Sequence, residues 1–288
     1  MSEMQNIQWF PGHMTKTKRK IAEILPIIDA VAEIVDARIP ISSRNPDLMG
    51  IIKDKPLLIL LNKCDMADPK ETAKWISFYK NKGIPAIPVD CKTGKGVSDF
   101  KDKVKEILGD KLESYKAKGM VGKPLRVMVV GIPNVGKSTF INRIAGASRL
   151  KAENRPGVTR GNQWVTVDKQ LEFLDTPGVL WPKFEDQRVG EHLAFTGAVK
   201  DAVLDTELLA MRLLENLSEN YRELLTARFG ELDFDLDSYD LLSLVGKKRG
   251  MVIRGGETDT ERAAKMLLEE YRNCKIGKIT LERTNDNA

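Results

Sequence analysis

Gly131-Ile-Pro-Asn-Val-Gly-Lys-Ser138 follows the apolar run LRVMVV and precedes TFINRIAG, whose apolar spacing is helical. A Gly-x4-Gly-Lys-Ser pattern between a strand and a helix lets successive backbone N–H groups curl around phosphates, with the positive end of the helix behind them. The expected phosphate contacts are Asn134, Val135, Gly136, Lys137, Ser138 and Thr139. Lys137 would reach the β- and γ-phosphates, and the Ser138 hydroxyl would hold Mg2+.

That loop specifies a nucleoside triphosphate and no base. Asn62-Lys-Cys-Asp65, which ends the run PLLILL, narrows the choice. An Asp65 carboxylate can accept from both N1–H and the exocyclic amino group of guanine. Adenine offers neither donor and would leave a buried carboxylate unpaired, a discrimination of several kcal/mol. Asn62 is expected to brace the loop and contact the base, with the Lys63 stem over the ring. Asp90-Cys-Lys-Thr-Gly94 follows IPAIPV and could turn its backbone at Cys91 and Lys92 toward the guanine oxygen. Asp175-Thr-Pro-Gly178 ends the run LEFL, so that Asp175 could reach Mg2+ through water and the Gly178 N–H could meet the γ-phosphate. Thr159, in RPGVTRG, could close over the metal when the γ-phosphate is present; an ordinary turn residue fits that position as well.

The elements that must carry these loops follow from hydrophobic patterning. Short Val/Ile/Leu-rich runs predict strands at Ala30–Asp36, Pro56–Leu61, Ile84–Val89, Leu125–Gly131, Gln163–Asp168 and Leu171–Asp175. Helical spacing predicts helices at Pro69–Lys82, Val97–Lys118 and Lys137–Ile144. Alternation of the two gives an α/β fold with a six-stranded, mostly parallel sheet covered on both faces. Its last two strands should form an antiparallel hairpin across Lys169–Gln170. Beyond Phe184 only helical patterns remain: Asp205 or Thr206 caps one, and Thr258 with Glu261 reads as a capping box for another, which Gly277 would stop. The expected organisation is an N-terminal segment 1–29 packed on the domain 30–183, then an all-helical domain 184–288.

Composition limits the remaining classes. Hydrophobic residues are 42% and charged residues 30% of 288, which suits a folded globular chain. No apolar run is long enough to span a bilayer, and the N-terminus resembles neither a signal nor a transit peptide. Cys64, Cys91 and Cys274 are odd in number and scattered, which argues against disulfides and structural zinc and suits a reducing cytosol. The net charge of +5 conceals +10 over residues 30–183 and −9 over 184–240. Such segregation suggests a basic face for a polyanion and a separate helical module. Lys247, Lys248, Arg249 and Arg254, flanking glycines, are the candidate RNA contacts, with Lys16, Lys18, Arg19 and Lys20 as a second cluster. A solvated charged face would produce the same patterns.

The guanine motifs precede the phosphate loop, the reverse of the usual order, so the domain is circularly permuted. The order, together with IQWFPGHM, VDARIP with SSRNP, GIPNVGKST, PGVT, DTPGVLWPKFED and GKKRG…RGG, resembles the ribosome biogenesis GTPase A family over nearly the whole chain. The resemblance implies a circularly permuted Ras-like P-loop GTPase, Mg2+-dependent GTP hydrolysis, and association with a large ribosomal subunit precursor and its rRNA. It implies a cytoplasmic protein with no membrane partner, expected to be monomeric off the ribosome. A GTPase of another RNA process, such as tRNA modification, and a GTP-gated RNA-binding scaffold are the alternatives. Val179 stands where small GTPases often carry a water-orienting Gln. The resemblance implies that His13, in the PGHM motif, supplies catalysis on the ribosomal partner, although a plain loop residue would fit the sequence too. Asn134 matches the Asn of GTPases that hold K+ beside the phosphates, and a turn-favouring Asn is an equal reading.

Overall fold

The structure, a computed structural model, describes residues 19–52, 55–120, 122–146, 152–153, 163–168, 171–176, 186–199 and 205–284. One sheet organises the first part of the chain. Its strands are β1 (Ala30–Asp36), β2 (Leu57–Asn62), β3 (Ala86–Pro88), β4 (Leu125–Val130), β5 (Ala152–Glu153), β6 (Gln163–Asp168) and β7 (Leu171–Asp175). They lie in the order β3-β2-β1-β4-β7-β6-β5. The five strands from β3 to β7 pair in parallel, and β6 and β5 continue the sheet antiparallel. The six expected strands are all present, and the two-residue β5 adds a seventh at the edge. It pairs only Ala152 with Val165 and Glu153 with Trp164, too short a run to leave a pattern in sequence.

Every residue of β1 is buried, as a central parallel strand requires. Alternate side chains enter separate cores. Ala32 and Ile34 join Phe100, Val104, Phe140 and Ile141, from the helices α3 (Asp99–Ile107) and α5 (Lys137–Ala145). Val31 packs instead with Ile21, Leu48 and Ile52, and Val35 with Trp75 and Tyr79. Those partners come from residues 19–24, which are helical, and from α1 (Pro46–Ile52) and α2 (Pro69–Asn81). Sequence patterning did not reveal α1. It is short and contains Gly50, yet its start is marked by Asn45, which accepts from the Asp47 N–H at 3.0 Å, and by Pro46 in the first turn. The single helix expected over Val97–Lys118 is two helices, α3 and α4 (Gly109–Ala117). They meet at Leu108, whose φ of −104° and ψ of 18° leave the helical region just before Gly109.

The later helices are α6 (Gln187–Phe195), α7 (Thr206–Asn220), α8 (Arg222–Phe229), α9 (Ser238–Lys248) and α10 (Thr260–Arg272). Leu209, Leu213, Leu217, Leu242, Val245, Ala263, Leu267 and Tyr271 pack among them, in a core continuous with the α3–α5 face of the sheet. Asp205 caps α7 through the Leu208 N–H. The expected capping box at Thr258 is displaced by one residue: Asp259 accepts from Arg262 N–H at 3.0 Å, while the Thr258 hydroxyl donates to the Ser243 carbonyl. Nor does Gly277 stop this helix. Asn273 ends it, and Cys274 takes the left-handed turn with φ +57°.

The chain then returns to the sheet. Ile279 N–H donates to the Met66 carbonyl and Leu281 N–H to the Arg38 carbonyl, at 3.1 and 2.8 Å. Glu282 accepts from the N–H groups of Ile41 and Ser42 and meets His192 Nδ1 at 3.1 Å. Trp75 Nε1 donates to the Glu282 carbonyl, and Arg283 pairs with Glu71. This return segment, with α6, seats the helices against the far side of the loops that follow β1 and β2.

Candidate functional site: a phosphate loop and a base pocket

The strand order reverses between β1 and β4, so a crevice opens at their C-terminal ends, where α/β sheets bind ligands. The loop after β4 fills it. A Cβ on Gly131 would lie 2.5 Å from the Ile34 carbonyl oxygen of β1. Only glycine allows the phosphate loop to start so close to the neighbouring strand. At the other end, Gly136 has φ +108°, and a Cβ there would fall 2.3 Å from Asn62 Nδ2. Lys137 is buried and donates to the carbonyls of Gly131 and Ile132, at 3.1 and 2.7 Å, which folds its ammonium back over the loop. Ser138 and Thr139 are exposed in the first turn of α5. The Thr176 hydroxyl, just past β7, donates to the Val129 carbonyl at 2.6 Å and fixes the start of the DTPG loop beside β4. Asp175 ends β7 in register with Val129. Thr159, Gly178, Val179 and His13 lie outside the described residues.

Asn62 joins three loops. Its Nδ2 donates to the Val135 carbonyl of the phosphate loop at 2.7 Å, and its Oδ1 accepts from the Cys91 N–H at 3.0 Å. Both ends of the amide are therefore engaged by backbone. The loop at Cys91 is also organised from within. Asp90 accepts from the N–H groups of Lys92 and Thr93, at 2.9 and 3.2 Å, and from the Thr93 hydroxyl. Burial raises the Asp90 carboxyl, but these bonds outweigh it and hold it below the ordinary value. Of the Cys91–Lys92 backbone, expected to face guanine, the Cys91 N–H is thus given to Asn62 and the Lys92 N–H to Asp90. Burial, aided by the Asp90 carboxylate, pushes the Cys91 thiol up to about 12, so it stays neutral and inert.

Lys63 adopts φ +60°, uncommon for a side-chain-bearing residue. Its ammonium lies 2.9 Å from Asp36 Oδ2 at the end of β1. The same carboxylate binds Arg38 Nε and Nη2 at 2.9 and 2.8 Å. Burial alone would raise Asp36, yet the two cations hold it well below the carboxylate range. Sequence reading did not single out Asp36, although its VDAR setting is visible. Asp65 is exposed at the pocket mouth. Together Asn62, Lys63, Asp65, Cys91, Lys92, Asn134, Gly136 and Thr139 line a cavity of about 220 Å3, so most of the guanine and phosphate candidates converge on one space. Asn134, at φ +60°, turns its amide toward the Gly197 carbonyl 3.5 Å away, at the end of α6.

The four RNA candidates lie apart from this pocket. Lys247 and Lys248 are exposed at the end of α9. Arg249 is tied to Glu270 at 2.7 Å, and Arg228 shares that carboxylate. Arg254 is exposed in the turn between Ile253 and Glu257, next to the exposed Val252 and Ile253. In the second cluster Arg19 pairs with Glu23, and Lys16 and Lys18 lie outside the described residues.

A phosphate loop after the fourth strand, served by an NKCD loop from the second, defines a circularly permuted P-loop GTPase. The family model described as 50S ribosome-binding GTPase matches residues 126–228, starting at the phosphate-loop strand and leaving the guanine loops upstream, as permutation requires. Ribosome biogenesis GTPase A of Priestia megaterium is 48% identical over 96% of both chains. That of Bacillus licheniformis is 45% identical over 97% of this chain and 99% of its own. A GDP-bound structure of TM YlqF superposes with a TM-score of 0.66 at 27% identity, covering 93% of this chain and all of that one. The chain belongs to the ribosome biogenesis GTPase A family, and it is a GTP hydrolase.

Proposed function

We propose that this GTPase acts late in assembly of the large ribosomal subunit, and that its ribosomal partner stimulates hydrolysis. The observation that carries the reading is the pocket in which Asn62 ties the phosphate loop to the guanine-side loops, with Asn134 of that phosphate loop against Gly197 of the helical part. Nucleotide state can thereby be felt by the helices that carry the exposed Lys247, Lys248 and Arg254. The names of its relatives and of the matching family support a ribosomal partner.

In this reading Asp65 takes the guanine N1–H and amino group, the Lys63 stem covers the ring, and the Cys91–Lys92 loop walls its oxygen edge. Lys137 leaves its loop carbonyls for the phosphates, supported by the backbone N–H groups at the start of α5 and by the Gly178 N–H. The hydroxyls of Ser138 and Thr159 and the Asp175 carboxylate, through water, are hard oxygen donors that suit Mg2+. When bound, Mg2+ neutralises charge that develops on the transferring phosphate. Asn134 would hold K+ only after giving up Gly197. His13 orients the attacking water once the protein is on its ribosomal partner, in place of the absent Gln. The protein works in the cytoplasm, as a monomer off the ribosome; no helix among the described residues is long and apolar enough to cross a membrane.

The decisive experiment compares co-sedimentation with large-subunit precursors in a non-hydrolysable GTP analogue and in GDP, alongside GTP turnover at saturating subunits. Analogue-dependent association with stimulated turnover is expected, and His13→Ala should lose about 10²-fold of the stimulated rate while keeping GTP affinity. Equal association in both nucleotides, or exclusive association with small subunits, would sink the assignment.

A further inference from the structure

We infer that Arg143, on the phosphate-loop helix, is a specificity-determining positioning residue that clamps the base-facing loop; this rests on the guanine reading of the pocket. The loop from Asp90 to Gly94 has all five of its N–H groups spent. Asp90 N–H bonds to the Lys95 carbonyl, Cys91 N–H to Asn62, Lys92 and Thr93 N–H to the Asp90 carboxylate, and Gly94 N–H to the Asp90 carbonyl. Its outward carbonyls at Cys91 and Lys92 have a different partner. Arg143 Nε donates to the Cys91 carbonyl at 3.4 Å, and its Nη2 donates to the Lys92 carbonyl. The stem of the same side chain lies over Gly94, where a Cβ would meet Arg143 Cδ at 3.3 Å and Gly94 itself has φ +93°.

Arg143 stands on the same helix as Lys137 and Ser138, which bind the other end of the nucleotide. Its fork therefore sets the distance between the phosphate loop and the wall against which the base rests. Asn62, which lines the pocket, makes a second tie to the same loop, from the Val135 carbonyl to the Cys91 N–H. One tie alone would leave the loop free to hinge about Asn62; two fix its plane. A planar fork that serves two carbonyls does this with less entropy loss than a single flexible ammonium. Its hydrogen bonds go to the Cys91 and Lys92 carbonyls, so Arg143 acts on the base end of the pocket.

The test is nucleotide binding to the full chain carrying Arg143→Met or Arg143→Lys. GDP is titrated directly, and inorganic tripolyphosphate, which offers phosphates without a base, competes against it. Arg143→Met should weaken GDP about tenfold, the loss of one to two charge-assisted bonds at a partly exposed site, and leave tripolyphosphate unchanged. Arg143→Lys should restore part of the loss, because one ammonium can serve one carbonyl. A purely structural role would weaken both ligands together and lower Tm. Unchanged GDP affinity, or an equal loss for GDP and tripolyphosphate in both variants, overturns the inference. Asp65→Asn serves as the independent control. If it exchanges guanine for xanthine preference while the Arg143 variants bind like the parent, only the clamp fails; if it does not, the guanine reading of the pocket fails.

Discussion

Replacing Asn62 with alanine should separate the phosphate loop from the base-facing loop without removing a side chain assigned to the phosphates. The side chain is 4% exposed and bonds to two backbone groups, the Val135 carbonyl at 2.7 Å and the Cys91 N–H at 3.0 Å. Truncation leaves both buried and unpaired, and each orphaned group costs about 1–3 kcal/mol. The sum, about 2–5 kcal/mol after local relaxation, is a large part of the stability of an ordinary domain. Asn62→Asp separates the two halves of this cost. It keeps an acceptor for Cys91 but sets a carboxylate against the Val135 carbonyl, so the damage falls on the phosphate-loop side. Urea unfolding of the parent and both variants gives the stability change, and GDP titration gives the binding change. Asn62→Ala should be less stable by the stated amount and should bind GDP at least tenfold more weakly. If it unfolds within about 0.5 kcal/mol of the parent, as surface substitutions usually do, and binds GDP normally, the brace is not structural and the argument fails.

Gly136→Ala places a methyl on Asn62 Nδ2 at a φ of +108° and should reproduce the loss of GDP affinity seen in Asn62→Ala; normal binding would refute the close approach. Asp36 is held below its ordinary range, so its contribution to stability is complete above the usual carboxylate pKa and is lost as pH falls below it. Asp36→Asn should therefore flatten the acid side of a stability–pH curve measured from pH 7 to 3, and an unchanged slope would refute its pairing with Arg38 and Lys63. Glu282→Ala strips the acceptor from the Ile41 and Ser42 N–H groups and should cost about 2–4 kcal/mol in urea unfolding; a cost near zero would mean the return segment is not seated as described.

What the sequence disclosed was local. The phosphate loop, NKCD and DTPG are contiguous motifs whose chemistry depends on neighbours in the chain, and β1, β6 and β7 have the bounds that their apolar runs imply. What it did not disclose was what those motifs are tied to. Lys63 finds Asp36, and Arg143 finds Lys92 across 51 positions, with no pattern connecting either pair. Trp75 and the Glu282 carbonyl are 207 positions apart. The misplaced helix ends have a narrower cause. Thr258 and Asp259 are adjacent cap formers, and tertiary packing chose the second while giving Thr258 to Ser243. Gly277 is the obvious left-handed residue, but Cys274 reached that conformation first.

The long-range ties share one target. Asn62 is held from the phosphate loop and from Cys91, Lys63 from Asp36, the Met66 carbonyl from Ile279, and the Asp68 N–H from the Thr280 hydroxyl. Thr280 is in turn fixed by Tyr221, whose hydroxyl donates to its carbonyl at 2.9 Å and accepts from its N–H at 3.1 Å. Arg38, which orients Asp36, stacks on the Tyr271 ring of α10. Asn62, Lys63, Met66 and Asp68, on either side of Asp65, are thus anchored by the protein itself, so little ordering entropy would remain to be spent on guanine bound there. Two of those anchors, Tyr221 between α7 and α8 and Tyr271 of α10, belong to the helical region. The NKCD loop is thus held partly by the helical region, so a partner that strains α10 or the return segment would act on the residues around Asp65 without passing through the phosphate loop.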